Sequence, residues 1–194
     1  MKKIPTLFVR DPENRANVLD DVTPGCEWVL AGEGTATRKY DGTCMMLDDE
    51  NSWWARREVK PGKSPPENYV VDNVDDLTGK TQGWEPVSQS PFAKFHAEAV
   101  ILSFSYPPGT YELVGPKVQG NPEKVDRHML IAHSHAETIF LPFFARNSAD
   151  SGTNLVKNAV RDLAGYGWEG VVWHHPDGRM AKLKSRDLPH EVTK

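Results

Sequence analysis

The sequence predicts an α+β fold, rich in short strands paired in antiparallel sheets and with about two substantial helices. Three observations lead there. Short apolar runs are cut off by polar turns such as Asp41-Gly42 and Asp48 to Asn51. Two longer segments, one after Ser90 and one after Asn154, repeat their apolar residues at helical spacing. The C-terminal part reads as a hairpin, with Gly170 to His174 and Met180 to Lys184 joined by a turn at Pro176-Asp177-Gly178.

Taken in order, a strand is expected over Ala36 to Tyr40, then a turn at Asp41-Gly42 and a second strand from Thr43 to Leu47. Trp53-Trp54-Ala55-Arg56 follows the next polar turn. The two tryptophans offer faces for stacking on bases, but the simpler reading puts one in the core and one on the outer face of the sheet. Pro61 to Pro86, rich in Pro, Asn, Asp and Gly, reads as a long surface loop. Ser90-Pro91 looks like an N-cap followed by the first helical position, and Phe92, Phe95, Ala99 and Leu102 share one helical face. Pro107-Pro108-Gly109 stops that helix. Thr110 to Val114 and Met129 to Ala132 then read as short buried strands. Leu155, Val156, Ala159, Val160 and Leu163 recur at helical spacing, with Asn154 as cap and Gly165 just past the end.

The chain has 194 residues, which suits one domain around one core, and no internal repeat is visible. No apolar run is long enough to span a bilayer, and the start MKKIPTLFVRDPEN lacks the apolar stretch of a signal peptide. Cys26 and Cys44 are too few for a disulfide framework or a cysteine-built zinc site. A cytoplasmic protein is expected, in the host cytoplasm if the source is viral. The net charge of −4 excludes bulk polyelectrolyte binding. Nucleic acid would have to be held by local clusters, either Arg56, Arg57, Lys60 and Lys63 or Arg179, Lys182, Lys184 and Arg186. The simpler reading of each cluster is a solvated strand edge.

Four segments carry candidate chemistry. Lys39-Tyr40-Asp41-Gly42 ends a strand at a tight turn, where glycine presents the lysine without slack; alone, such a tetrapeptide is commonplace in hairpins. A lysine becomes a covalent nucleophile only as the neutral amine, so burial and nearby cations must oppose its charge. Glu112 lies inside the apolar strand Thr110 to Val114 and needs a partner, which a ribose hydroxyl or an arginine could supply. Glu169 stands at the mouth of the hydrophobic strand Gly170-Val171-Val172. In Ala181-Lys182-Leu183-Lys184, alternation puts both lysines on one face, where they repel unless an anion such as phosphate sits between them.

In this order the segments resemble motifs I, III, IV and V of the covalent nucleotidyltransferase superfamily of DNA ligases, RNA ligases and mRNA capping enzymes. A narrower resemblance runs through Lys39-Tyr40-Asp41-Gly42-Thr43-Cys44, Trp54-Ala55-Arg56, Glu112-Leu113-Val114-Gly115 with Gly120-Asn121-Pro122, and Glu169 to His174. These are similar to the small ATP-dependent RNA ligase family that includes the vertebrate 5′–3′ RNA ligase, and the likeness covers most of the chain.

The resemblance implies a single minimal adenylation domain over residues 1–194, acting as a monomer on RNA 5′-phosphate and 3′-hydroxyl ends in RNA repair. Lys39 would attack the α-phosphorus of ATP, Glu112 would accept from the ribose, and Lys182 and Lys184 would hold the α-phosphate and oppose the charge of Lys39. Glu169, with Asp41 through water, would bind Mg²⁺, or Mn²⁺ in its place. Arg56 would grip the nucleotide or the acceptor's 5′-phosphate. Two departures stand out. Cys44 occupies the place of an arginine common in polynucleotide ligases, a charge that Arg38, Arg56 or Arg57 would have to supply. The chain also runs on too little past Lys184 for an oligonucleotide-binding barrel, so no such domain is expected and the pyrophosphate-orienting group is left without a candidate. His133 is a candidate for stacking on adenine; its other readings are a structural histidine or a metal pair with His135. The alternatives in function are a DNA or mixed nick-joining ligase and a catalytically silent domain that binds a nucleotide or an RNA end.

Overall fold

The computed structural model describes residues 3–76, 78–101, 105–140 and 152–188. In chain order the elements begin with β1 (Phe8–Arg10), β2 (Val18–Val22), α1 (Glu27–Leu30), β3 (Thr35–Lys39), β4 (Thr43–Leu47) and β5 (Trp53–Val59). They continue with β6 (Val70–Asp75), β7 (Lys80–Pro86), α2 (Ala93–Val100), β8 (Gly109–Val114) and β9 (Met129–Ala132). The last are α3 (Gly152–Gly165), β10 (Gly170–His174) and β11 (Met180–Lys184). The fold is mixed α and β, its sheets are mostly antiparallel, and its helices are few. Among the described residues no helix is long and apolar enough to cross a membrane.

The chain forms two compact units. The terminal unit comprises Ile4–Tyr40 and Ala136–Lys194, and the central unit comprises Asp41–His135 with Met1–Lys3. Each has its own core, so two cores stand where the length had suggested one.

In the terminal unit the three-stranded sheet runs β11-β10-β3, all antiparallel. Both edges are covered, which spares the sheet open hydrogen-bonding groups. Leu7 N–H donates to the Lys182 carbonyl at 2.8 Å, and on the other edge Arg38 N–H donates to the Glu137 carbonyl at 2.8 Å. Ala36, Val171, Trp173, Ala181 and Leu183 turn inward against Val156 and Val160 of α3. The expected hairpin and the strand after Thr35 are therefore present, and α3 presents the expected apolar face. It begins at Gly152, so Asn154 lies inside the helix rather than capping it.

In the central unit six strands run β6-β7-β5-β4-β8-β9. Met45, Leu47, Ala55, Tyr111 and Leu113 pack against Ala99 of α2 and Val118. Trp53 joins this core, with its ring 5.2 Å from that of Tyr111, while Trp54 donates its indole N–H to Asp48 at 2.7 Å. Ser90-Pro91 precede α2 by a turn: the Ser90 hydroxyl accepts from Phe92 N–H at 3.1 Å, and the helix proper starts at Ala93. Leu102, expected on the face of this helix, lies outside the described residues.

Two expectations are corrected. Pro61 to Pro86 contains the hairpin β6–β7 rather than a continuous loop. Neither strand shows a clean apolar alternation, and β7 carries a glycine; β7 pairs with β5, and β6 pairs in turn with β7. Gly83 is needed there because a Cβ would collide with the Val70 carbonyl oxygen. Asp41-Gly42 is likewise no hairpin turn. β3 and β4 belong to different sheets, and the chain passes from one unit to the other between Tyr40 and Asp41.

Candidate active site

The lysine cluster is built on the terminal unit's sheet. Lys39 on β3 lies opposite Gly170 on β10, and Gly170 lies opposite Lys184 on β11. Residues on one rung share a face, so both lysines project past a central position that has no side chain. A Cβ on Gly170 would collide with the Leu183 carbonyl oxygen, so the close approach itself requires glycine. The rung two residues away on the same face is Thr37, Val172 and Lys182. Lys182 and Lys184 thus share a face, as alternation predicts, with Ala181 and Leu183 buried behind them.

Glu169, just before β10, is the anion of this cluster. Its Oε2 accepts from Lys39 Nζ at 2.5 Å, and its Oε1 accepts from Lys184 Nζ at 2.5 Å and from Arg186 at 3.2 Å. Its carbonyl accepts from Ser185 N–H at 2.9 Å, which fixes the backbone. Burial pushes the Glu169 carboxyl up, but the charges of Lys39 and Lys184 outweigh it and hold the group below the ordinary carboxylate range. The anion expected between the lysines is thus supplied in part by the protein itself.

Lys182 is different. Burial, then the charges of Lys184 and Lys39, lower its ammonium to about 8. Among the described residues it forms no ion pair with a carboxylate. Arg10 and Asp187, 2.9 Å apart, neutralise each other, while Asp187 accepts from Lys184 N–H at 3.3 Å and steadies the end of β11. Three cations, Lys39, Lys184 and Arg186, therefore contact the carboxylate of Glu169, and Lys182 lies near enough to feel its charge and that of Asp187.

Glu112, Asp41, His133 and Arg56 belong to the central unit. The buried Glu112 carboxylate accepts from Gly42 N–H at 3.1 Å and contacts His133 Nε2 at 3.1 Å. The other ring nitrogen of His133 contacts the Thr110 hydroxyl at 2.9 Å, so the ring is held at both ends. Gly42 admits no side chain, because a Cβ there would collide with the Leu113 carbonyl oxygen. The partner of Glu112 within the chain is thus an amide and an imidazole rather than an arginine. Asp41 N–H donates to Glu123 at 2.8 Å. Arg56 is separate from this group: its guanidinium meets Asp72 at 2.7 Å and lies 4.9 Å from the centre of the Trp84 ring.

Two other arginines have their own settings. Arg38 lies over the rings of Tyr40 and Trp168, at 4.6 and 4.7 Å. Arg57 approaches Glu85 at 3.7 Å. Of two further residues at these places, the sequence had shown one only in a basic run and had not marked the other. Arg186 was legible only as part of a basic run, and Glu123 follows Asn121-Pro122 in a loop where Gln119, Asn121 and Lys124 all have positive φ.

Among the described residues, no group of three or more His, Cys, Asp or Glu side chains is placed to hold a metal ion. Glu169 and Asp41, expected as the Mg²⁺ ligands, belong to different units, and the Glu169 carboxylate is taken by three cations. As it stands, that donor set fits an anion's surroundings and not a divalent cation's. No family model matches the chain, and no curated protein is significantly similar to it.

Proposed function

We propose that this chain is a lysine-adenylylating nucleotidyltransferase, an ATP-dependent RNA ligase that carries AMP on Lys39. One observation carries the reading: three cations meet the carboxylate of Glu169 on the face of a small sheet, with the buried Lys182 beside them and unpaired among the described residues, an electrostatic setting that asks for a polyphosphate. The order of Lys39, Glu112, Glu169, Lys182 and Lys184 along the chain supports it independently.

In this reading ATP's α-phosphate replaces Glu169 as the partner of Lys184 and gives Lys182 a counter-charge. The Lys39 ammonium loses a proton to solvent and its nitrogen attacks the α-phosphorus. The P–N bond forms with loss of a second proton, the P–O bond to the β-phosphate breaks, and pyrophosphate leaves. Arg186, exposed and beside Glu169, is the group nearest to hand for the leaving phosphates. The oxygen of an RNA 5′-phosphate then attacks the AMP phosphorus, the P–N bond breaks, and AMP-capped RNA is released from Lys39. Attack by a 3′-hydroxyl on the capped 5′-phosphorus expels AMP and joins the strands. The resemblance gives Glu112 the ribose hydroxyls and His133 the adenine face. Mg²⁺ accompanies ATP as the counter-ion of its triphosphate.

The 2.5 Å pairing of Lys39 with Glu169 also suits a silent domain that only holds phosphates. Incubation with α-labelled ATP and Mg²⁺, followed by denaturing electrophoresis, separates the two. A label that stays on the chain and is released by pyrophosphate is the expected result. Saturable ATP binding without any covalent label would leave the silent domain as the reading. Matched RNA and DNA ends then decide between an RNA ligase and a DNA or mixed nick-joining one.

A further inference from the structure

A cleft of about 550 Å³ opens in the central unit, and none of Lys39, Arg56, Glu112, His133, Glu169, Lys182 and Lys184 lines it. The end of β5, the segment 60–66 and the turn leading to α2 enclose it, and Arg57, Lys60, Lys63, Ser64, Glu85 and Gln89 line it. This size is that of a ligand pocket rather than a packing defect. Its rim is cationic. Lys63 N–H donates to the Lys60 carbonyl at 3.1 Å, so one tight turn carries both lysines. Among the described residues neither of them pairs with a carboxylate. Glu58, the other acid of the lining, is already paired with Lys80 at 2.9 Å.

The base of the cleft has the opposite character. Glu85 is 3% exposed, and its nearest partner, Arg57 Nη1, stands 3.7 Å away, beyond hydrogen-bonding distance. Among the described residues nothing donates a hydrogen bond to its side chain. Burial pushes its carboxyl up, and the charge of Arg57 opposes this only in part. Buried carboxylates are normally hydrogen-bonded, and one that is not presents unused acceptor capacity. A ligand that satisfies this cleft therefore brings an anionic group to the rim and a hydroxyl or N–H donor to the base. A ribonucleotide within a strand brings both together, whereas a deoxyribonucleotide lacks the 2′-hydroxyl.

We propose that this cleft holds one nucleotide of an RNA strand, with its phosphate against Arg57, Lys60 and Lys63 and its ribose 2′-hydroxyl donating to Glu85. It rests on the ligase reading for the presence of RNA, and adds to it a place where ribose is told from deoxyribose.

The test is fluorescence anisotropy of the full chain with a labelled single-stranded RNA and the DNA of the same sequence, without ATP. The wild type binds the RNA about tenfold more tightly, the worth of one hydrogen bond to a charged group. Glu85→Met keeps the side chain's length but cannot accept a hydrogen bond, and brings RNA affinity down to that of DNA. The double variant Lys60→Ala/Lys63→Ala, made at exposed positions, weakens both ligands and lowers the slope of log K against log salt by about 1–2. Thermal melts establish that each variant is folded. Wild-type RNA affinity in the double variant overturns the proposal. So does equal weakening of RNA and DNA by Glu85→Met, or displacement of the RNA by an acidic peptide as readily as by unlabelled RNA. Because the assay contains no ATP, absence of self-labelling would remove the ligase reading and leave this result to stand or fall by itself.

Discussion

Lys39 and Lys184 stand on opposite sides of the same glycine, Gly170, and each places its ammonium 2.5 Å from a different oxygen of Glu169. Two cations on one rung of a sheet repel, and here one carboxylate holds both. The pair is therefore poised around an anion that a nucleotide phosphate can replace.

If Lys39 is the nucleophile, Lys39→Ala and Lys39→Arg both abolish covalent labelling by α-labelled ATP, since alanine has no amine and a guanidinium remains protonated. Retention of the label by either variant, in a protein that melts like the wild type, removes Lys39 from that role.

Glu169→Gln leaves Lys39, Lys184 and Arg186 without their counter-charge. The carboxyl lies below its ordinary range in the folded chain, so its stabilisation is present above the unfolded value and is lost as pH falls through the folded one. The variant should melt about 5–10 °C lower at pH 7, and that gap should narrow as the solution is made acidic. Adenylylation should slow by about 10²–10³-fold. A gap in melting temperature that does not change with pH would mean that the carboxylate's charge is not what holds the cluster.

Lys182 changes charge near pH 8, well below an ordinary lysine. It is fully charged below that pH and loses its charge above it. With Lys39→Arg as background, which keeps the neighbouring charge, binding of a non-hydrolysable ATP analogue should weaken between about pH 7 and pH 9. Lys182→Arg, which stays charged, should flatten the profile. Calorimetric titrations across this range check both; an unchanged profile in the arginine variant assigns the pH dependence elsewhere.

Arg56 is tied to Asp72 and Trp84 on the central sheet, so its removal touches stability as well as any acceptor phosphate. Arg56→Ala should slow sealing of a 5′-phosphate end, measured from preformed enzyme–AMP, more than it slows enzyme–AMP formation. Asp72→Ala breaks the same ion pair while keeping the guanidinium. If Asp72→Ala reproduces the losses of Arg56→Ala in both steps, the arginine acts through the sheet and not on the acceptor.

Local chemistry settled much of this protein in advance. Alternation in Ala181-Lys182-Leu183-Lys184 was enough to put two lysines on one face, and the turn residues Pro176-Asp177-Gly178 were enough to mark the hairpin behind them. The strand β4 and the apolar face of α3 were legible because their residues bury one side at a regular period, and β8 and β9 because they are short apolar runs. Position in space was not. Val70 to Asp75 and Lys80 to Pro86 have no clean apolar period, and their pairing with each other and of β7 with β5 makes them strands. Asp41-Gly42 has the composition of a hairpin turn, yet β3 takes β10 as its partner and β4 takes β5 and β8. The cation cluster is also a tertiary fact, since Lys39 and Glu169 are 130 residues apart in sequence and meet because β10 lies between β3 and β11. Sequence periodicity records which side of a strand is buried, but the partner across the sheet is chosen by packing over long separations, and that choice is what gave Lys39 its carboxylate.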